Sequence, residues 1–180
     1  QKSMKLCPGI SQRYPLVELV ANDQTAAGVL ESAEAFYKQV GKVTIRVNRE
    51  VPAHVANRLQ AALWKEAIHL VSTGVASVED VDKAVWAGPG LRWAAMGPHM
   101  LFNLGAGEGG MEEFCRRYAD SFHRWWHDLG DVQLDAQTIA KLVAGAQHEA
   151  GGKNFAKLSS ERDRLIVNIL STNKAIREEP

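Results

Sequence analysis

Between Val51 and Gly74, in VPAHVANRLQAALWKEAIHLVSTG, apolar residues recur at three- and four-residue intervals: Val55, Leu59, Ala62, Leu63, Ala67, Leu70 and Val71. That period predicts one apolar face of a long helix. Pro52 suits its first turn, where an N–H would have no intrahelical partner, and Gly74 ends it. One turn in, Asn57 and Arg58 form a polar pair on a helix otherwise committed to a core. A buried amide at Asn57 needs a hydrogen-bond partner, and a ligand is one candidate.

Upstream the period changes. Pro15–Val20, PLVELV, reads as a short buried strand with Glu18 inside it. Asn22, Asp23 and Thr25 give a helix-start signal, Val29, Ala33, Phe36, Tyr37 and Val40 carry the helix, and Gly41 closes it. Lys42–Val47, KVTIRV, alternates like a strand. Residues 15–47 therefore predict a β-α-β unit, which alone cannot bury both faces of its sheet. Glu18 has two readings: a strand-end carboxylate near solvent, or a group that orients a histidine and fixes which imidazole nitrogen accepts a proton.

After residue 48 no strand pattern recurs. Ser77 with Asp80 opens a helix carrying Val78, Val81, Ala84 and Val85. Gly88–Ala94, GPGLRWA, reads as a loop holding Arg92 and Trp93, and Met96–Leu104 as a helix. Met111–Leu129 is helical through Phe114, Tyr118, Phe122, Trp125 and Trp126. Asp135 opens another helix ending near Gly151, and Ser159 or Ser160 caps a last one through Leu165, Ile166, Ile169 and Leu170. The organisation is mixed α/β over 1–48 and helical over 49–180.

Lys and Arg total 21, as do Asp and Glu, so no basic face for nucleic acid is indicated. No apolar run approaches membrane-spanning length, and the start lacks the apolar core of a secretory signal. Two cysteines, Cys7 and Cys115, without ligand-like spacing point to a reducing cytoplasm, with Cys115 packing on an apolar face. Gly105, Gly107 and Gly110 match G-x-G-x-x-G, yet they follow a helical pattern and not a strand, so helix-ending glycines are the better reading. His123 and His127 share a helical face but lack the glutamate of the zinc-protease motif, so no metal site is expected. Arg92 and Trp93 read as a solvated charge beside a core aromatic. Together they would also suit a small zwitterion, a guanidinium for its carboxylate and an indole for its cation.

PLVELV, the helix, KVTIRV, and then the run from Glu50 through VPAHVANRLQAALWKEAIHLVSTG and VASVEDVDKAVWAGPG resemble the second half of the 3-hydroxyacyl-CoA dehydrogenase family. GPGLRWAAMGP, GEGGM and EAGG followed by ERDRLIVNIL resemble its carnitine dehydrogenase branch, with the lambda-crystallin type of gulonate dehydrogenase close by. The resemblance covers residues 15 to about 177. It implies a mainly α fold: a helical domain of the 6-phosphogluconate dehydrogenase C-terminal type over 49–180, preceded over 1–48 by the incomplete β-α-β end of an NAD-binding Rossmann domain. It further implies that Glu18 pairs with the catalytic histidine, that Asn57 binds near the reacting oxygen of the substrate, and that Arg92 and Trp93 meet the substrate's carboxylate and trimethylammonium group.

The family's histidine would lie twelve residues before Glu18 in His-x-x-Asn-Pro; here Leu6 stands there, followed by CPGI. The nucleotide fingerprint would precede Gln1. The chain is thus expected to be a fragment, inactive alone, of an NAD-dependent dehydrogenase of small 3-hydroxy acids, acting in the cytoplasm as a homodimer without nucleic-acid or membrane partners. Two alternatives stand beside this: a coenzyme A thioester such as 3-hydroxybutyryl-CoA as substrate, and a non-catalytic helical assembly module.

Overall fold

A computed structural model describes residues 15–177, and its contacts divide the chain into two compact units, Gln1–Ala62 and Leu63–Pro180. In the first unit, β1 (Leu16–Val20) and β2 (Val43–Val47) pair in parallel, with Glu18 opposite Ile45, and α1 (Val29–Gln39) is the crossover packed on both. The expected β-α-β unit is present. Leu19 and Val47 are buried, on opposite faces of the pair, while Leu16 and Val43 at the start of the two strands remain exposed. Arg46 on β2 ties α1 to the sheet edge, bonding Glu34 at 2.7 Å and Glu31 at 3.1 Å.

Asn22 and Thr25 do not cap α1. They close a turn of their own, Asn22 Oδ1 accepting from the Gln24 N–H and Thr25 Oγ1 accepting from the Asn22 N–H, and the helix starts four residues after Thr25, at Val29, with Gly28 as its N-cap. An Asx turn satisfies the same side chain locally and so competes with the cap.

The long helix also starts later than its pattern suggests. It runs Ala56–Ser72 (α2), not from Pro52, because Ala53 and His54 both adopt left-handed backbone, with φ of 64° and 50°. Two successive left-handed residues cannot belong to a right-handed helix. The predicted apolar face is not buried: Leu59 and Leu63 are exposed and Ala67, Leu70 and Val71 half-buried, while the one buried residue of α2, Ile68, lies on the other side of the helix.

In the second unit, α3 (Val78–Ala87) begins at Ser77, whose Oγ accepts from the Asp80 N–H at 3.0 Å and donates to Asp80 Oδ2 at 2.7 Å. α7 (Ala136–Ala150) begins at Asp135, whose carboxylate accepts from the Thr138 N–H at 2.7 Å, and that bond holds the Asp135 carboxyl below its usual range. α3 and α7 pack closely: a Cβ on Gly145 would stand 2.3 Å from Val78 Cγ2, so only glycine fits there. α5 (Pro98–Gly105) lies on α6 (Gly110–Asp128) through Phe102 stacked on Phe114 at 4.6 Å and edge-on to Phe122 at 5.6 Å. Cys115, one residue on from Phe114 and so about 100° round the helix, is exposed and not packed. The end of α2 is fastened to the segment between α6 and α7: Glu66 accepts from the Gly130 N–H, Lys65 pairs with Asp131, and Lys141 donates to the Ser72 carbonyl.

GPGLRWA is not a loop. Pro89–Ala95 forms a short helix, α4, with Pro89 in its first turn. The last helix, α8 (Phe155–Arg177), begins earlier than Ser159, with Asn154 Oδ1 accepting from the Lys157 N–H at 2.9 Å. Asn154 is the polar residue immediately preceding the run and outcompetes the later serines. No strand follows β2 among the described residues, and no helix among them is long and apolar enough to cross a membrane.

Candidate active site

Glu18 sits mid-strand, not at a strand end. Its Oε1 accepts from two backbone amides at the head of α2, Val55 N–H at 3.0 Å and Ala56 N–H at 2.9 Å. These are among the donors that a helix leaves unpaired at its N-terminus, where the aligned peptide dipoles also favour a negative charge. The left-handed pair Ala53–His54 is what turns the chain so that both amides face β1. The carboxylate thereby joins the sheet to α2 across a separation of 37 and 38 residues. One oxygen is engaged by the helix; the other accepts from no donor among the described residues.

Asn57 follows immediately, in the first turn of α2, with its side chain exposed. The structure therefore brings Glu18 and Asn57 into one neighbourhood within the first unit, and an amide there serves a ligand without any core hydrogen bond to satisfy. His54 adds a feature that the sequence pattern did not reveal: its Nδ1 is buried with no hydrogen-bond partner among the described residues. Leu6, at the position of the expected histidine, lies outside the described residues.

Arg92 and Trp93 belong to the second unit, side by side on α4, both exposed, Trp93 at 40%. α4 is fastened at both ends. At its head, a Cβ on Gly88 would meet the Ala84 carbonyl oxygen at 2.5 Å and one on Gly90 the Val85 carbonyl oxygen at 2.7 Å, so both glycines let α4 lie directly on the end of α3. At its tail, Asn173 Nδ2 donates to the Ala94 carbonyl at 2.7 Å and Arg177 Nη2 to the Ala95 carbonyl at 2.8 Å. Neither donor carried a sequence signal, since each acts about eighty residues from its acceptor.

The groups whose titration is most displaced lie elsewhere. Glu34 is pushed down to about 2 by hydrogen bonds from Lys38 and then Arg46, and Glu113 to about 2 by Arg116 and then Arg117. Both are surface ion pairs along α1 and α6, so the case for the site rests on geometry. Gly105, Gly107 and Gly110 join α5 through a short 3₁₀ turn, Gly107–Gly109, to α6, and no strand feeds them as a pyrophosphate-binding turn requires.

Residues 54–142 match the family model described as "3-hydroxyacyl-CoA dehydrogenase, C-terminal domain". An L-carnitine dehydrogenase of Streptomyces coelicolor is 44% identical over 156 residues, covering 87% of this chain and 49% of the relative. One from Pseudomonas aeruginosa is 36% identical over 164 residues, covering 91% and 50%. The chain thus spans about half the length of the curated relatives it matches. Among solved structures, a 5-formyl-3-hydroxy-2-methylpyridine 4-carboxylic acid 5-dehydrogenase, titled an NAD+ dependent dismutase, superposes with a TM-score of 0.69 at 24% identity, over 90% of this chain and 53% of that one. That likeness shows the fold.

Proposed function

Since the chain belongs to the 3-hydroxyacyl-CoA dehydrogenase family through its C-terminal domain, we propose that it is the C-terminal portion of an NAD-dependent 3-hydroxy acid dehydrogenase whose substrate is L-carnitine. The observation that carries this reading is the Glu18 carboxylate seated on the head of α2, one residue before Asn57. In such an enzyme NAD would supply the hydride acceptor, and an imidazole would take the hydroxyl proton as the carbon bearing that hydroxyl is oxidised. Glu18 supports the imidazolium that forms, through the oxygen not engaged by α2, and Asn57 holds the reacting oxygen. Anchoring one carboxylate oxygen to rigid backbone removes the rotamer freedom that would otherwise blunt this pairing.

NAD itself is assigned mainly to a portion other than the described residues, with 1–48 as the end of its domain and 49–180 as the helical domain. Arg92 supplies a fork for the substrate carboxylate, and Trp93 a π face for the trimethylammonium group. The identity to L-carnitine dehydrogenases favours this zwitterion over a coenzyme A thioester. The helical domain is also assigned to pairing with a second copy in the cytoplasm, which would cover exposed apolar side chains such as Trp126 on α6 and Leu165 on α8, 61% and 63% exposed. Gel filtration giving a monomer of the complete protein would remove the dimer assignment.

The test of the substrate is a panel of L-carnitine, gulonate and 3-hydroxybutyryl-CoA with NAD and the complete protein. Preference for L-carnitine, with a KM that rises on Arg92→Ala and on Trp93→Ala, supports the reading. Unchanged KM values in both variants would remove those two roles.

A further inference from the structure

α4 has seven residues, too few for its own hydrogen bonds to hold it helical in water. Its conformation is therefore set by what grips its ends. The head is held by close packing on α3. The tail is different, because the last carbonyls of any helix lack amide partners, and two of those on α4, Ala94 and Ala95, are met by side chains of α8. Asn173 is half-buried where it makes its bond, and Arg177 lies one helical turn further on the same face. The positive guanidinium at a helix C-terminus is favoured by the helix dipole as well. Between the two grips stand Arg92 and Trp93.

We infer that Asn173 and Arg177 are positioning residues for the substrate-binding helix: by capping α4 from α8, they fix the direction in which Arg92 and Trp93 present a guanidinium fork and an indole face. This rests on the assignment of Arg92 and Trp93 given above. A fork binds a carboxylate only in a narrow range of orientation, so an α4 freed at its tail loses affinity for an anionic substrate and leaves the chemical step intact. It also makes α8, a helix with no buried residue, a determinant of substrate binding through two hydrogen bonds.

The test uses the complete protein with Asn173→Asp, which keeps the shape but turns a donor into an acceptor, and Arg177→Ala, with Arg177→Lys as the variant that keeps a charged donor. Asn173→Asp and Arg177→Ala should each raise the KM for L-carnitine about tenfold while kcat changes less than about twofold, and Arg177→Lys should restore most of the affinity. Amide hydrogen exchange should quicken at Trp93 to Met96 and stay unchanged in α3 and α7. Unchanged KM and unchanged exchange in α4 overturn the inference, as does a fall in kcat with exchange rising throughout the helical unit, which marks general destabilisation. Arg92→Ala separates the two levels. If it leaves KM unchanged, the role of Arg92 falls and the exchange data alone judge the grip on α4; if it raises KM while Asn173→Asp changes nothing, the grip falls and the role of Arg92 stands.

Discussion

Removing the Glu18 carboxylate tests the join between sheet and helix most sharply. In Glu18→Ala two amide donors at the head of α2 lose their acceptor, Val55 at 3.0 Å and Ala56 at 2.9 Å. Hydrogen bonds to a charged acceptor contribute about 1.5–3 kcal/mol when desolvated. The Val55 bond is exposed and the Ala56 bond only part-buried, so the pair together is worth about 2 kcal/mol, the helix-dipole contribution included. Glu18→Gln keeps a neutral acceptor of the same shape and should lose about half, ~1 kcal/mol. Amide hydrogen exchange measures this locally: opening of the first turn of α2, read at Val55, Ala56 and Leu59, should become about thirtyfold more frequent in Glu18→Ala and about fivefold in Glu18→Gln. Exchange at α7 should not change. The reasoning is refuted if Glu18→Ala leaves Val55 and Ala56 exchanging at the wild-type rate, or if Gln and Ala behave identically.

Two further outcomes follow from the same geometry. Ala53 holds a φ of 64° without being glycine, so Ala53→Gly should raise stability by up to about 1 kcal/mol, and a lowered denaturation midpoint would show that the left-handed turn carries no strain. Glu34 is held at about 2, against an ordinary 4.5, by Lys38 first and Arg46 second. A depressed carboxyl lends stability above 4.5 that is lost as pH falls toward 2. Arg46→Ala should therefore move the Glu34 carboxyl-carbon titration upward toward 4.5 and flatten the acid limb of the stability curve in that window, and an unmoved titration would place the cause in Lys38 alone.

The elements that could be read from the chain are those whose hydrophobic period is uninterrupted. The β-α-β unit followed from PLVELV and KVTIRV, α3 and α7 from Ser77 and Asp135 ahead of periodic runs, and Glu18 stood out as a carboxylate inside an apolar strand. What sequence left hidden depended on distant partners or on unusual backbone. The start of α2 is displaced by left-handed Ala53 and His54; alanine gives no signal of such a turn, and a lone histidine, though enriched in that conformation, does not specify it. α4 is helical because Gly88 and Gly90 admit carbonyls of α3 at contact distance, whereas in sequence those glycines read as turn formers. The acceptors for Asn173 and Arg177, and the donors for Glu18, lie 37 to 82 residues away, beyond the reach of any local pattern.

The central assignment, a 3-hydroxy acid dehydrogenase whose chemistry needs more than these residues, is tested most directly by NADH formation from L-carnitine. Turnover is expected from the complete protein, with a large loss of kcat in its Glu18→Gln variant and none above a blank for the 180-residue chain alone. Reduction of NAD by the isolated chain, or a complete protein that oxidises no 3-hydroxy acid at all, would contradict that assignment.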